Sequence, residues 1–600
     1  GATSMAERTS DRPATTPGTN GTETPLWKRG GGWVLERPEH IFTPEEFDDT
    51  TRALAEITRD FIDREVMPLI DRMEHGEHEL NVPLLRKLGE IGPLAAEVPE
   101  AYGGLDLPKT VGTLINEVMA PTGGFAVTFG AHVGIGTLPV VYFGTEEQKR
   151  KYLPKLASGE MIAAYALTEP GSGSDALGAR TRATLSEDGT HYILNGTKQF
   201  ITNSGFADLF TIFAKVDGEH FTAFLVEPDF PGVSLGEEEE KMGIKSSSTR
   251  QVILQNAQVP VENVLGEIGK GHRIAFNVLN VGRYKLGAAG TGAAKFALSD
   301  AATYAKERKQ FGKSIASFGL IQQKLARIAV LAYVTESAVY RTIGLIDEAI
   351  GDKGGTDAVL AGIQEYAVEC SILKILGTET MDYAVDEGVQ IHGGYGFIAD
   401  YPIERLYRDS RVQRIFEGTN EINRLLIPNM LLRKAMRGEL PLIEATANLK
   451  DELMEPSFDE PEGAWGREET QLAGLKKLAL LIAGLATETF GINVEHEQEV
   501  LAAIGTILLD TFAAESGVFR AEQTGNEIAA QMARLHLDGV LARAQLHASE
   551  ALSHISEGDD LRLYLSIARR LTRREPFDTI AAERALAAVI LEKERYPLDA

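Results

Sequence analysis

A single cysteine, Cys370, is present in the 600-residue sequence. One thiol excludes an internal disulfide framework and any cysteine-based zinc or iron–sulfur site, and it fits a reducing compartment. Cations are scarce too, because 60 lysine and arginine residues stand against 87 aspartate and glutamate residues, a net charge of −27. Phosphate contacts need clustered cations, so we expect no nucleic-acid binding and no broad attraction to anionic membranes.

Long apolar runs are missing as well. The longest candidate, residues 478–486, has about half of the roughly 18–20 residues that span a bilayer, so we expect no membrane-spanning helix. The polar N-terminus lacks an apolar h-region, so we expect no secretory signal. Proline, glycine and polar residues dominate residues 1–40, which predicts a flexible tail, with the alternative left open that residues 30–33 pack back onto the body.

The rest of the composition, 43% hydrophobic and 24% charged, is typical of globular proteins, and the length predicts several domains. Apolar spacing predicts helices over residues 109–119 and 319–350, whereas Asn195-Gly196 between alternating residues predicts a hairpin turn. The predicted fold class is therefore α+β multidomain. The predicted segments are a flexible tail (1–40), an N-terminal α domain (41–161), a middle antiparallel β domain (162–273), a C-terminal α bundle (274–440) and an extra α-helical domain (441–600).

Two motifs in the β region suit a flat cofactor. The loop YALTEPGSGSD at residues 165–175 can bring backbone N–H groups and hydroxyls close to a planar or phosphorylated cofactor, or it is a surface turn. In KQFITNS at 198–204, Phe200 and Thr202 lie two apart on a predicted strand and should share a face. They could flank a flat ring, or Phe200 could be a buried aromatic on an ordinary strand.

Two further motifs lie in the predicted bundle. In KERKQFGK at 306–313, Arg308 could bind a diphosphate, although such a charge run is more often solvated. In QIHGGYGF at 390–397, His392 has no second histidine or cysteine at metal spacing. We therefore interpret His392 as structural and expect no metal site.

Glu417 lies in the motif RIFEGTNEI at residues 414–422. It follows two apolar residues and precedes a Gly-Thr break, so it can lie at a helix start and face an apolar cavity. Desolvation there would raise its pKa and allow it to accept a proton. The alternative is an exposed glutamate in the first helical turn that serves the helix dipole.

In this order and at these separations, over about residues 45–435, the motifs resemble those of the acyl-CoA dehydrogenase family of flavoproteins. KMGIK at 241–245, VPVENVLGE at 259–267, FGLIQQKLAR at 318–327 and the helical extension after residue 440 resemble its very-long-chain branch. The resemblance implies a helical domain, a β domain and a helical bundle, with FAD between the β domain and the bundle.

The resemblance also implies roles for individual residues, with Glu417 as the catalytic base. The residues implied to contact FAD are Tyr165, Leu167, Thr168, Gly173, Ser174, Phe200, Thr202, Arg308, Phe311, Gln390, Gly393, Gly394, Thr419 and Glu421. Among these, Arg308 and the run 390–394 would reach the FAD of a neighbouring subunit. The residues implied to line the acyl-CoA site are Ser174, Asn280, Arg283 and Gly418.

The implied activity is FAD-dependent α,β-dehydrogenation of fatty acyl-CoA, with long chains expected, to trans-2-enoyl-CoA. Electrons would pass to an electron-transfer flavoprotein. The helical extension would cover the surface through which shorter relatives form tetramers, which leaves a homodimer. The expected location is cytoplasmic or peripheral to the inner membrane, with membrane contact left open.

Three alternatives stay open at this stage. The glycine-rich stretch 130–138 either opens a channel for a long acyl tail or serves close helix packing. The enzyme could be an acyl-CoA oxidase that uses oxygen directly. The chain could also be a non-catalytic assembly scaffold that retains the fold.

Overall fold

Helices dominate the structure, a computed structural model that describes residues 23–352, 355–455 and 459–599. In chain order, these residues form a helical region, a β domain, a bundle of long helices and a further set of helices. This order confirms the predicted α+β multidomain fold class. The exact domain boundaries stay predictions.

Two helices of the N-terminal region begin at a residue whose side chain accepts a hydrogen bond from a free backbone N–H group. The helices of this region are α1 (Asp49–Phe61), α2 (Ile70–Glu74), α3 (Asn81–Ile91), α4 (Lys109–Met119), α5 (Gly124–Ala131), α6 (Leu138–Phe143) and α7 (Glu146–Ser158). At the start of α1, the Asp48 side chain accepts a hydrogen bond from the Thr51 N–H at 2.8 Å. Thr145 and Gln148 form a reciprocal capping pair at the start of α7. The helix predicted over 109–119 is confirmed as α4.

The β domain contains one sheet of eight strands. The strands are β1 (Ala163–Ala166), β2 (Arg182–Leu185), β3 (His191–Thr202), β4 (Leu209–Val216), β5 (His220–Val226), β6 (Val233–Leu235), β7 (Thr249–Pro260) and β8 (Val264–Leu265). They pair in the order β6-β7-β3-β2-β4-β5-β8, with β1 beside β4. The antiparallel prediction is therefore wrong in part, because β1 and β2 both pair parallel to β4. Neither pair is joined by a tight hairpin, which alone would force an antiparallel arrangement.

The turn predicted at Asn195-Gly196 is also wrong. Strand β3 continues through this dipeptide to Thr202 and pairs with β7 on both sides of it. The register shifts between Leu194 and Gly196, where Gly196 has a φ of 155°. The glycine thus produces a β-bulge that bends a long strand instead of ending it.

Long helices follow the β domain. Those of the bundle are α8 (Gly271–Glu307), α9 (Gly319–Ile350), α10 (Thr356–Glu365), α11 (Ala367–His392), α12 (Pro402–Ser410) and α13 (Asn420–Met436), with a two-stranded ribbon, β9 (Lys309–Gln310) and β10 (Lys313–Ser314), after α8. The helix predicted over 319–350 is confirmed as α9. Helices α8 and α11 approach closely, since a Cβ added at Gly290 would lie 1.9 Å from the Gly377 carbonyl oxygen.

The extra C-terminal region is helical, as predicted. Its helices are α14 (Leu442–Met454), α15 (Gly466–Phe490), α16 (Gln498–Thr524), α17 (Glu527–Ile555), α18 (Gly558–Leu571) and α19 (Thr579–Lys593). Buried ion pairs join it to the bundle. Arg341 of α9 lies 2.8 Å from Glu515 of α16, and Arg520 of α16 lies 2.6 Å from Glu336 of α9.

The flexible tail predicted over residues 1–40 is wrong from Leu26 onward, and residues 1–22 lie outside the described residues. Trp27 and Trp33 are 6% and 2% exposed. The Gly31 N–H donates to Glu369 Oε1 of α11 at 2.9 Å. Two buried indoles supply the apolar area that the polar composition around them does not, so this segment packs against the body.

The expectation of no membrane-length apolar segment is also wrong. By length and composition, three helical stretches could cross a membrane: Gly124–Phe143, Gly466–His496 and Gln498–Thr524. Unbroken apolar runs in the sequence are short. These three stretches nevertheless reach a high mean hydropathy, although glycine, threonine and a few charged residues lie between their apolar residues. In the first and third, 72% and 83% of the most apolar window is buried inside the protein, compared with 33% in the second.

Candidate active site

Glu417 lies in the loop between α12 and α13. Thr419 caps α13, because its Oγ1 accepts a hydrogen bond from the Ile422 N–H at 3.2 Å. Glu417 and Gly418 are both left-handed, with φ values of 58° and 79°. Glu417 therefore precedes the helix start, as predicted. A left-handed glutamate is strained, and such strain is concentrated at functional sites.

The carboxylate of Glu417 is packed against helix α8. A Cβ added at Gly282 would lie 2.7 Å from Glu417 Oε2, so the glycine makes room for the carboxylate. Among the described residues, Oε2 has no hydrogen-bond partner. Burial raises the pKa of Glu417, while the nearby charges of Arg283 and Lys374 act in the opposite direction. An enclosed carboxylate of this kind is a stronger base than one in water.

A cavity of about 120 Å³ lies beside Glu417. Its wall is mostly small or apolar and includes Ala120, Ala126, Val127, Gly130, Ala131, Gly134, Ile135, Gly282, Leu286, Ala289, Met381 and Phe416. Four of these residues belong to the glycine-rich stretch 130–138, so the channel alternative fits this part of the structure. The polar lining residues are Asn116, Thr202, Lys285, Asp409, Ser410, Gln413 and Glu417.

Tyr165 and Thr202 bring the β domain to the same place. Thr202, at the end of β3, lines the cavity together with Glu417. Burial raises the pKa of Tyr165, and the negative charge of Glu417 raises it further. The Tyr165 hydroxyl is enclosed and has no partner among the described residues. The structure thus brings together three of the predicted site residues.

The glycine-rich loop is fixed at its start by a buried ion pair. Lys198 Nζ lies 2.7 Å from Glu169 Oε2 and also donates to the Leu167 carbonyl oxygen at 3.2 Å. The tip of the loop, with Gly173 and Ser174, is exposed. Its base is therefore rigid, and its tip is accessible to a ligand.

The backbone at Phe200 departs from the regular strand alternation that predicts a shared face for Phe200 and Thr202. The pairing of β3 with β7 shifts between Lys198 and Ile201, and Phe200 has a φ of 57°. Its side chain is 60% exposed, so the alternative of an ordinary buried aromatic is wrong. The carbonyl oxygen of Thr168 accepts the Gln199 N–H at 2.8 Å, which joins the glycine-rich loop to this irregular strand.

Three of the residues implied to line the acyl-CoA site lie near Glu417. Arg283 Nε donates to the Glu417 carbonyl oxygen at 3.3 Å, and a Cβ at Gly418 would lie 3.4 Å from an Arg283 nitrogen. Asn280, one helical turn before Arg283, is buried, and neither of its amide atoms has a partner among the described residues. Ser174 is at the exposed tip of the glycine-rich loop.

Four other predicted cofactor residues surround a separate groove of about 590 Å³: Arg308, Phe311, Gly393 and Gly394. The Arg308 guanidinium lies 5.3 Å from the centre of the Tyr395 ring. Phe311 is left-handed and 91% exposed. Gln390, near the end of α11, is exposed. This groove shares no lining residue with the Glu417 cavity, so one chain does not bring the two groups together.

Thr419 and Glu421 lie in a third depression, of about 530 Å³, which also contains Arg411, Arg414 and Arg424.

His392 is structural, as interpreted, because Nδ1 contacts the Gly388 carbonyl oxygen at 2.7 Å and the ring stacks on Tyr304. Among the residues that the structure describes, no group of three or more histidine, cysteine, aspartate or glutamate side chains could hold a metal ion.

Sequence reasoning missed Gly282, Phe416 and Lys374. Gly282 and Phe416 line the cavity beside Glu417, and each is adjacent in sequence to a residue that was predicted. Lys374 lies in the apolar segment Ile372–Leu376 and is fully buried. A lysine inside an apolar helical stretch was the available signal.

Comparison with known proteins gives four matching family models. They are described as the acyl-CoA dehydrogenase N-terminal domain (residues 48–160), middle domain (164–257) and C-terminal domain (269–432, and a second C-terminal model over 474–570). A probable acyl-CoA dehydrogenase of Bacillus subtilis (strain 168) is 51% identical over 584 residues, 95% of this chain and 98% of that protein.

Two further relatives extend this comparison. The mitochondrial very long-chain specific acyl-CoA dehydrogenase of Bos taurus is 42% identical over 404 residues, 66% of this chain and 58% of that protein. A crystal structure of an acyl-CoA dehydrogenase complexed with FAD from Bacillus anthracis is 51% identical, with a TM-score of 0.93 over 95% of this chain and 99% of that one. The chain belongs to the acyl-CoA dehydrogenase family, which confirms the resemblance inferred from the motifs.

Proposed function

We propose that this protein is an FAD-dependent dehydrogenase of fatty acyl-CoA that introduces a trans-2 double bond into long acyl chains. The observation that carries the proposal is the enclosed carboxylate of Glu417 beside an apolar cavity. The Cα–H of a thioester is a very weak acid, so its removal needs a base that is stronger than a solvated carboxylate. Glu417 meets that requirement because burial raises its pKa.

The residues present fit FAD. The Tyr165 hydroxyl lacks a partner among the described residues, and the Phe200 ring is 60% exposed on a left-handed backbone next to Thr202. These are an unused polar group and an unused flat surface on the β-domain side of the Glu417 cavity. We propose that the residues of the loop 165–174 with Phe200, Thr202, Thr419 and Glu421 hold the cofactor. When bound, FAD supplies the two-electron acceptor for the hydride that leaves Cβ.

Glu417 then performs the proton step. Its carboxylate accepts the α-proton, and the surrounding apolar wall keeps water away from the base. The backbone N–H of Glu417, which belongs to the same residue as the base, would donate to the thioester carbonyl oxygen as negative charge develops there. Such a donor is worth about 3–4 kcal/mol in transition-state stabilisation.

Arg283 and Asn280 orient the substrate in this account. Arg283 donates a hydrogen bond to the Glu417 carbonyl oxygen, and this bond fixes the loop that carries the base. The Asn280 amide has no partner among the described residues, so it is an available hydrogen-bonding group on the same helix. Ser174, at the exposed tip of the glycine-rich loop, would contact the CoA portion.

The small side chains along the cavity support a long acyl chain as substrate. Each methylene that leaves water contributes roughly 0.8 kcal/mol, so a longer tail should bind more tightly until the cavity is filled. The test is anaerobic flavin reduction across a series of acyl-CoA lengths, from four to eighteen carbons. We expect the rate to be highest with long chains. A maximum at butyryl-CoA would contradict the long-chain substrate, and no reduction with any acyl-CoA would contradict the function itself.

We also propose a homodimer in which the groove around Arg308 meets the cofactor of the partner subunit. Phe311 and Phe397 are 91% and 85% exposed beside this groove, an apolar exposure that is unusual for a monomer surface. The extra helices would prevent a tetramer. Light scattering should give the mass of two chains, and a tetramer mass would contradict the proposal.

An electron-transfer flavoprotein is the proposed acceptor of the electrons, and oxygen is the alternative. Stopped-flow mixing of the reduced protein with air separates the two, because only an oxidase is rapidly reoxidised. A non-catalytic scaffold would not need the enclosed base and the unused flavin-side groups described above. The location, cytoplasmic or peripheral to the inner membrane, stays a prediction.

A further inference from the structure

Lys374 is a buried lysine in the middle of helix α11. Its residue is 0% exposed, and its Nζ donates to Asn420 Oδ1 at 2.6 Å. Among the described residues, no carboxylate lies within ion-pair distance of this ammonium group. Lysine is rarely fully buried unless it is paired with an acid. The unpaired cation therefore needs a reason to be there.

The charged groups that face Lys374 come from three helices and the loop of Glu417. They are Glu417 in the loop, Arg283 on α8, Glu379 on α11 and Glu421 on α13. Two of the three acids are otherwise occupied. Both oxygens of Glu379 bond to Arg424, at 2.6 and 2.7 Å, and Glu421 is exposed to solvent.

Glu417 is therefore the acid for which the charge of Lys374 matters most. Burial lowers the pKa of Lys374 to about 7. Among the charged groups that raise this pKa, Glu417 has the largest effect. In return, Lys374 lowers the pKa of Glu417. Each group supports the charged form of the other.

Lys374 is also connected to Glu417 through the backbone. Its hydrogen-bond partner Asn420 is the first residue of α13 and follows Glu417 by three positions. The other side of the Asn420 amide donates to Thr378 Oγ1 at 3.0 Å. The C-terminal end of the left-handed loop that carries Glu417 is thus fixed to Lys374 and Thr378 of α11. The same loop is fixed to α8 by the hydrogen bond from Arg283.

We propose that Lys374 is a positioning residue that keeps Glu417 ionised and holds its loop in place. The inference rests on the proposed role of Glu417 as the base. Burial raises the pKa of Glu417 and so favours its protonated form, while the charges of Arg283 and Lys374 favour the ionised form that can accept a proton. Protonated Lys374 acts on Glu417 without an ion pair, and its hydrogen bond to Asn420 holds the segment that follows Glu417.

Three variants of Lys374 separate charge from hydrogen bonding. Lys374→Met removes both, Lys374→Gln keeps a donor for Asn420 without the charge, and Lys374→Arg keeps the charge. Lys476→Met is the matched control, because Lys476 is also a buried lysine whose pKa is lowered by burial, but it pairs with Glu515 on α16. Glu515 retains Arg341 in that control.

The first readout does not depend on turnover. Infrared difference spectra of each variant, measured against its Glu417→Gln double variant, report protonation of this one carboxyl as a function of pH. Removal of a nearby opposite charge raises a carboxyl pKa by about 1–3 units. We expect the midpoint to rise by about 1 unit or more in Lys374→Met and Lys374→Gln, and to stay near the wild-type value in Lys374→Arg and Lys476→Met.

The second readout is the pH dependence of kcat/KM for acyl-CoA. Its acid limb should move to higher pH in the same two variants. If the Lys374→Met variant fails to fold, Lys374→Gln carries the test. An unchanged infrared midpoint in Lys374→Gln would overturn the proposal. A shifted midpoint without any acyl-CoA oxidation by the wild-type protein would support the electrostatic coupling while contradicting the proposed function.

Discussion

The cavity beside Glu417 and the groove around Arg308 differ in how much of each is enclosed by one chain. Glu417 Oε2 is enclosed by the bundle, whereas Phe311 in the groove is 91% exposed. Both residues are left-handed, with φ values of 58° and 56°, so each region contains a strained backbone. Under the proposed function, we therefore expect a single chain to fix the chemistry of the proton step, and cofactor retention to depend on a surface that another molecule completes.

The largest effect should come from Glu417→Gln. The amide cannot accept the α-proton, so we expect dehydrogenation to fall by about 10³-fold or more. Because Glu417 is not among the residues proposed to hold FAD, bound FAD per chain should not change. Steady-state turnover and the visible absorbance of the purified variant measure the two quantities. Glu495→Gln, on the exposed segment before α16, is the control. Near wild-type turnover in Glu417→Gln would refute the assignment of the base.

The next effect should come from Arg308→Met in the groove. A hydrogen bond to a charged group contributes about 1.5–3 kcal/mol, so the Kd for FAD should rise by about 10–100-fold. Turnover at saturating FAD should change much less, in contrast to Glu417→Gln. Fluorescence titration of the FAD-depleted protein measures the Kd. Arg562→Met, a highly exposed arginine on α18, is the control. An unchanged Kd would place the groove outside the cofactor site.

Much of the fold could be predicted from local pattern. The bounds of α4 and α9 agree with the predicted helices, because each has a regular apolar stripe and clear stop signals. Local pattern failed where distant contacts decide the structure. The Asn195-Gly196 dipeptide becomes a bulge because β7 pairs with both halves of β3. Trp33 of the N-terminal segment becomes buried because distant helices cover it, with the Phe512 ring 5.0 Å away and Lys476 over its indole.

The candidate site shows the same division. The motif containing Glu417 could be found because a glutamate between apolar residues and a Gly-Thr break is unusual in sequence. Lys374 could not be assigned a role, since its relation to Glu417 exists only after α11 and α13 have packed together. The reach of Arg308 to a neighbouring subunit was implied by resemblance alone, because no local sequence pattern predicts that a surface will meet a second subunit.

A third effect, about 10-fold, should come from Gly130→Leu in the cavity wall. The space around Gly130 is open, since the nearest atom to an added Cβ is Asn116 Oδ1 at 4.0 Å. A leucine would fill the cavity and exclude the end of a long chain. We expect the kcat/KM ratio of hexadecanoyl-CoA to octanoyl-CoA to fall by about 10-fold, roughly the loss of two buried methylenes.

Gly539→Leu on α17 is the control for this substitution, because it meets only the end of a flexible arginine side chain far from the cavity. An unchanged preference in Gly130→Leu would show that the acyl chain does not follow this wall. A loss that is equal for both chain lengths would indicate general damage to the site.

The smallest effect concerns pH in the wild-type protein. Burial raises the pKa of Glu417, and only the ionised form can accept a proton, so kcat/KM should increase with pH through that raised pKa. A pH profile between 4.5 and 8 measures the acid limb. FAD binding at the groove should be much less sensitive over the same range, because Glu417 does not line the groove. An acid limb centred at or below the usual glutamate pKa would contradict an enclosed base.

Exchange of the α-hydrogens of a bound acyl-CoA with deuterated water tests the central claim most directly. An analogue with sulfur in place of C3 has no β-hydrogen to lose, so proton removal is observed alone. Mass spectrometry should show rapid deuterium incorporation with the wild-type protein and none above background with Glu417→Gln, although both bind the analogue. Equal incorporation by the two proteins would show that another group removes the proton.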